Sequence, residues 1–110
     1  MNPSIAAEAK RKQLRQKISA PGLIVAPGVF DMISARIADR MGFDVLYMTG
    51  YGAVASYLGL PDAGLASYTD MANRAGAFAQ GTNTPLIADA DTGYGGLLNV
   101  AHTVRSSPLT

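Results

Sequence analysis

Three short, continuously apolar runs constrain this chain most: Leu23-Ile24-Val25-Ala26, Val45-Leu46-Tyr47-Met48 and Leu86-Ile87-Ala88. Each is rich in branched side chains, is flanked by turn residues, and lacks the apolar–polar alternation of a half-solvated strand. Such runs fit strands of a parallel sheet covered on both faces. Between the first two, Phe30, Ile33, Ile37 and Met41 share one helical face. Asp31 stands in that helix's first turn, where a carboxylate offsets the dipole, and Gly42 is placed to supply a left-handed C-cap. A further helix is predicted over about 69–80, because Ser67 precedes Asp70 by three residues as in a capping box and Gly81 closes the pattern before Asn83-Thr84-Pro85. A last helix begins near Gly96 and still runs at Arg105. The order β-α-β-(loop)-α-β-α is an α/β pattern, and right-handed crossovers make its sheet parallel. The strands are expected near 23–27, 44–49 and 86–90, adjacent in that order.

The segment before residue 21 is expected to be one helix, started by Pro3 or Ser4, with Ile5, Leu14 and Ile18 as a narrow apolar stripe docked on the main body. It holds Lys10, Arg11, Lys12, Arg15 and Lys17, five of the nine cations, so the net charge of +1 conceals an acidic remainder. A nucleic-acid partner would rest on that helix alone, and none is expected. The helix lacks the apolar core of a secretory signal, and Glu8 and the scarcity of serine disfavour a mitochondrial presequence. No apolar run has the ~18–20 residues of a membrane span, so no membrane partner is expected either. The absence of cysteine excludes disulfides, thiolate metal sites and cysteine nucleophiles from these 110 residues.

In parallel α/β folds the chemistry gathers at the carboxyl ends of strands. Here those positions read Pro27-Gly28-Val29-Phe30-Asp31, Thr49-Gly50-Tyr51-Gly52 and Asp89-Ala90-Asp91-Thr92-Gly93-Tyr94-Gly95-Gly96. Asp89 and Asp91, at i and i+2 of a strand, would point to one face with Cα atoms roughly 6.5–7 Å apart. Two carboxylates so aligned call for a cation, a shared proton or outward solvation. With one histidine and no cysteine, a hard cation such as Mg²⁺ is the natural guest; the alternative is two solvated aspartates capping turns. Asp62, in Pro61-Asp62-Ala63-Gly64, reads by itself as a turn residue within a connection of roughly 20 residues, and long structured loops are often functional. His102 falls inside the last helix and reads as a surface or packing residue. An EF-hand starting at Asp89 fails, with Gly93, Tyr94 and Val100 at its fifth, sixth and twelfth places. Gly50-Tyr51-Gly52-Ala53-Val54-Ala55 imitates a dinucleotide fingerprint, but Asp70 lies at a helix start rather than at the end of a second strand.

Four motifs in order, Phe30-Asp31-Met32-Ile33-Ser34-Ala35-Arg36, Leu46-Tyr47-Met48-Thr49-Gly50, Leu58-Gly59-Leu60-Pro61-Asp62 and Ala88-Asp89-Ala90-Asp91-Thr92-Gly93-Tyr94-Gly95, resemble the isocitrate lyase/phosphoenolpyruvate mutase superfamily. The resemblance runs from about residue 12 to Arg105, toward the branch of methylisocitrate and dimethylmalate lyases, oxaloacetate decarboxylases and carboxyphosphonoenolpyruvate mutases. It implies a (β/α)₈ TIM-type barrel, here an N-terminal helix over 1–20 and the first three βα units over 21–110. It implies a Mg²⁺ enzyme, with Mn²⁺ as the alternative, that cleaves a C–C bond in a small 2-hydroxy or 2-oxo di- or tricarboxylate through an enolate. By resemblance Asp89 is the direct metal ligand, while Asp91 and Asp62 hold metal-bound waters. Tyr47, Thr49, Gly50 and Tyr51 bind the substrate carboxylate, with Asp91 also on the substrate side. Many lyases of the family carry Ser where Thr49 stands. A cytoplasmic location and a tetrameric parent enzyme go with the resemblance.

Such barrels need about 250 residues, and the family's Lys-x-Cys-Gly-His loop with its catalytic acid is not among these 110. No catalytic residue is therefore assigned in the chain. Pro108 would break a helix that the family continues, so the chain is expected to be a truncated or frameshifted piece, inactive alone and prone to associate through its open edge. Two other readings stand beside this one: a non-catalytic fragment acting only by association with a full-length relative, and a small nucleotide-binding α/β module.

Overall fold

The computed structural model describes the backbone of residues 3–106 and the side chains of residues 6–106. The expected apolar contact of Ile5 and the helix break at Pro108 lie outside the described residues. The elements are α1 (Pro3–Ser19), β1 (Gly28–Val29), α2 (Met32–Arg40), β2 (Leu46–Met48), α3 (Gly50–Leu58), α4 (Tyr68–Gly81), β3 (Leu86–Ala88) and α5 (Leu97–Ser106). The three strands form one parallel sheet in the order β1-β2-β3.

The register sorts the side chains into two rows. Val29, Met48 and Ala88 stand side by side on the face that carries the helices, while Gly28, Tyr47 and Ile87 stand on the other. Val29 and Met48 are fully buried against Ala35, Ala38, Met71, Ala75 and Phe78 of α2 and α4. The opposite row is open, with Ile87 39% exposed. The expectation of cover on both faces therefore holds for one face only among the described residues.

Two sequence expectations shift. The first strand is not 23–27 but Gly28–Val29, and Leu23 is 89% exposed. Extending the Gly28↔Tyr47 register backward would pair Ala26 with Val45 and Ile24 with Phe43. There the chain is still leaving α2 through Gly42, whose φ of +82° is the expected left-handed turn. The second shift is α3, which occupies the first half of the connection read as a loop. Thr49 caps it, its Oγ1 accepting from Gly52 N at 3.3 Å, and Gly59 ends it at φ +66°.

Capping follows the sequence closely elsewhere. Asp31 is the N-cap of α2 rather than a first-turn residue, its Oδ1 accepting from Ser34 N at 2.7 Å while Phe30 and Asp31 amides donate to Ser34 Oγ. Ser67 and Asp70 close the predicted capping box on α4. The α2 stripe behaves differently from its pattern: α2 buries Ala35 and Ala38, whereas Ile33 and Ile37 are 71% and 58% exposed. Small side chains let α2 sit close to the sheet, and the larger ones point away from it.

The N-terminal helix docks less by its stripe than by its lysines. Leu14 is half-buried and Ile18 exposed. Lys10 Nζ donates to the carbonyls of Ala79 and Thr82 at the C-terminal end of α4, where a cation complements the helix dipole. Lys17 Nζ reaches the Asp44 carbonyl at 3.1 Å and its carboxylate at 3.3 Å.

Candidate functional site

The carboxyl ends of β2 and β3 converge. Asp89, one residue past β3, still donates its N–H to Met48 O at 3.1 Å, and alternation from Ile87 aims its side chain to the open face, on the Tyr47 side. Thr49, one residue past β2, starts α3, so the first-turn amides of Gly50 and Tyr51, which have no intrahelical acceptor, lie at this end of the sheet. Gly50 has a specific reason to be glycine. A methyl group there would stand 2.6 Å from Asp89 Oδ2 and 2.9 Å from its Cγ. The Asp89 carboxylate thus nests directly against the start of α3, where a negative charge is favoured.

Beside it lies a recess of about 20 Å³, room for about one water-sized guest. Asp62, Asp89 and Asp91 line it together with Gly50, Met71 and Tyr94. Asp62 is exposed, arriving from the turn after α3. The three carboxylates do not form a direct chelating cluster among the described residues. Nor are Asp89 and Asp91 related as i and i+2 of a strand. The strand ends at Ala88, and Asp91 has φ +49° and donates its N–H to Asp89 Oδ1 at 2.7 Å, an Asx-type turn.

The loop that follows is held in left-handed conformations at Asp91, Gly93 (φ +95°) and Tyr94 (φ +64°). Gly93 N donates to Ala90 O, and Gly93 O accepts from the buried Thr103 hydroxyl of α5 at 2.9 Å. Two tyrosines feel the acids. Burial and then the charges of Asp89, Asp91 and Asp62 push the Tyr94 hydroxyl up to about 12. The Tyr47 hydroxyl is also raised, by desolvation first and then by the charge of Asp89 and a hydrogen bond to it. Tyr51 is 66% exposed and does not line the recess. His102 lies exposed on α5, its ring edge-on to Tyr68 at 5.2 Å and its Nδ1 3.3 Å from Ser106 Oγ.

A donor set of three carboxylates around a one-guest recess fits a hard divalent cation that keeps several waters. Asp70, which a dinucleotide site would need for a ribose, is committed to the capping box of α4. Among the contributors that sequence reasoning missed are Met71 and Gly64, which help line the recess. Their signal was absent because α4 reads as an ordinary amphipathic helix and Gly64 as an ordinary turn residue.

The family model described as phosphoenolpyruvate phosphomutase matches residues 14–107. The chain is similar to the 2,3-dimethylmalate lyase of Eubacterium barkeri, at 48% identity over 84% of this chain and 32% of that protein. Its fold is similar to an oxaloacetate acetylhydrolase in complex with the product oxalate, with a TM-score of 0.82 and 45% identity over 94% of this chain and 36% of the other. It is also similar to a phosphonopyruvate hydrolase in complex with oxalate and Mg²⁺, with a TM-score of 0.70 and 27% identity over 98% of this chain and 36% of the other. The 110 residues span about a third of the length of these relatives.

Proposed function

The chain belongs to the phosphoenolpyruvate phosphomutase family of the isocitrate lyase/phosphoenolpyruvate mutase superfamily, and from that premise we propose that it is the metal-binding N-terminal part, the first three βα units, of a (β/α)₈ enzyme that cleaves a C–C bond in a small 2-hydroxy or 2-oxo carboxylate. The observation that carries this reading is the nesting of Asp89 against Gly50, which brings a carboxylate and the free amides of a helix start to one point. Asp89, with Asp62 and Asp91 around the recess, would hold Mg²⁺ or Mn²⁺. Bound there, the cation would supply fixed positive charge opposite the negative charge that an enolate oxygen develops.

The protein's part is positioning. Thr49 fixes the start of α3, and the amides of Gly50 and Tyr51 offer hydrogen bonds to a substrate carboxylate, aided by the helix dipole. The Tyr47 hydroxyl, held in its protonated form, is a donor on the same open face. A proton donor to the leaving carbon is another matter. Tyr94, pushed up to about 12, is a poor acid at neutral pH, and His102 faces Tyr68 rather than the recess. By this reading the 110 residues bind the metal and orient the carboxylate, but complete no lyase turnover alone. Water reaching the open face would weaken each electrostatic contact further.

The test is a titration of the 110-residue chain with Mn²⁺, followed by proton relaxation, and an assay with Mg²⁺ against oxaloacetate, 2-methylisocitrate and 2,3-dimethylmalate. Binding that disappears in Asp89→Ala, without turnover of either lyase substrate, is the expected result. Binding that is unchanged in Asp89→Ala overturns the metal reading. Metal-dependent lyase turnover well above the Asp89→Ala background overturns the claim of inactivity.

A further inference from the structure

Tyr94 is a bulky aromatic in a backbone conformation that costs such a residue strain, and its neighbours Gly93 and Gly95 are also at positive φ. The strain needs a compensation, and the ring's surroundings show one. Tyr94 lines the acid recess with Asp62, Asp89 and Asp91. It also lines an apolar groove of about 280 Å³ that runs along β3 under α4 and α5. Only Met71, Asp89 and Tyr94 belong to both spaces. The ring packs edge-on to Tyr68, centroids 6.2 Å apart, and the hydroxyl lies 3.5 Å from the Asp89 carbonyl oxygen.

We infer that Tyr94 is a positioning residue for the acids: its ring is the partition between recess and groove, and its packing on Tyr68 holds the Asp89–Gly93 turn that aims Asp89 and Asp91. The left-handed backbone at residue 94 is what turns the ring inward. Removing the ring joins the 20 Å³ recess to the 280 Å³ groove and frees the turn, although α4 and the sheet keep their own packing. The part of this inference that concerns metal affinity rests on the metal reading above. The part that concerns the turn does not.

The experiment separates the two. Asn tolerates a left-handed backbone but has no ring, whereas Phe keeps the ring and loses only the weak hydroxyl contact. In the 110-residue chain, Tyr94→Asn is expected to speed amide exchange at Asp91 and Gly93 about 10-fold, with amides around Phe78 unchanged, while Tyr94→Phe stays near the parent. Parent-like exchange at Asp91 and Gly93 in Tyr94→Asn overturns the inference, as does a Tyr94→Phe variant as fast as Tyr94→Asn. With Mn²⁺, the Asp89-dependent relaxation effect should weaken in Tyr94→Asn and persist in Tyr94→Phe. An undiminished effect in Tyr94→Asn also overturns the inference. If the parent chain shows no Mn²⁺ effect, the metal reading fails and the exchange rates still decide the role of Tyr94.

Discussion

At the scale of single residues, the site depends on side chains that are missing as much as on those present. Gly50 is buried, and its lack of a Cβ is what lets Asp89 reach the start of α3. In Gly50→Ala the new methyl would meet a carboxylate anchored on both sides, by Met48 O through the Asp89 amide and by Asp91 N through Oδ1. Asp89 must then move or the strand end must shift, a cost of about 1–3 kcal/mol for overpacking. Gly96→Ala is the control, because a methyl there meets nothing within 4 Å; its effect should stay within about 0.5 kcal/mol. Urea denaturation of both variants checks the difference, and equal midpoints would show that Asp89 is free to swing away. The place of Asp89 and Asp91 at the carboxyl end of a strand was legible in the sequence because they directly follow an apolar run. Their geometry was not legible. The alternation rule assumed that the strand continues to Asp91, whereas the turn begins at Asp89 and spends one carboxylate oxygen on the Asp91 amide.

At the scale of elements, the helix starts carry the local stability. Hydrogen bonds from the Ser34 backbone hold the Asp31 carboxyl below the usual carboxylate range, outweighing its desolvation. Asp70 is lowered mainly by the Ser67 amide. Burial opposes ionisation of Asp39, but Thr84, Asn83 and the charge of Lys10 outweigh it, and the Asn83 and Thr84 amides donate to Asp39 at 2.8–3.1 Å. A carboxyl whose folded value is depressed stabilises fully above its unfolded value, about 3.9, and loses that stabilisation as pH falls through the folded value. The thermal midpoint should therefore hold from neutrality to about pH 5 and fall below about pH 4. Asp31→Ala should lower stability at pH 7 and flatten the acid limb. An acid limb unchanged in that variant would remove Asp31 from the account. The Ser67-x-x-Asp70 capping box was readable because its signal is local, whereas Asp31 was read as a first-turn residue and is the N-cap. Helix α3 was not readable: Gly50-Tyr51-Gly52 opens it with two poor helix formers, and its stability comes from burying Ala53 and Val54 against the core.

At the scale of the whole molecule, the three-stranded sheet is covered by helices on one face and presents Tyr47 and Ile87 on the other. Its two edges differ. β1 is two residues long, and since Pro27 O and Val29 O both face β2, only Gly28 offers its amide outward, so it is a short edge. β3 is three residues long and flanked by the apolar groove. Pro85 O and Asp89 N both face β2, so by alternation the amides of Leu86 and Ala88 point outward, unpaired by the sheet. Exposed Leu97, Leu98 and Val104 of α5 add apolar surface on the chain's C-terminal side. Relatives three times as long have chain to spare for such an edge. The 110 residues alone should associate through β3 rather than through the equally apolar but helical face of Ile33 and Ile37. Sedimentation velocity at micromolar to millimolar concentration, the range in which exposed edges drive association, should therefore show species larger than 11.4 kDa. Ala88→Pro removes one outward donor without touching the bonds to β2, and should shift the population toward monomer. Ile33→Lys should leave it unchanged. A reversal, with Ile33→Lys dissolving the assembly and Ala88→Pro inert, would move the adhesive surface from the sheet edge to α2.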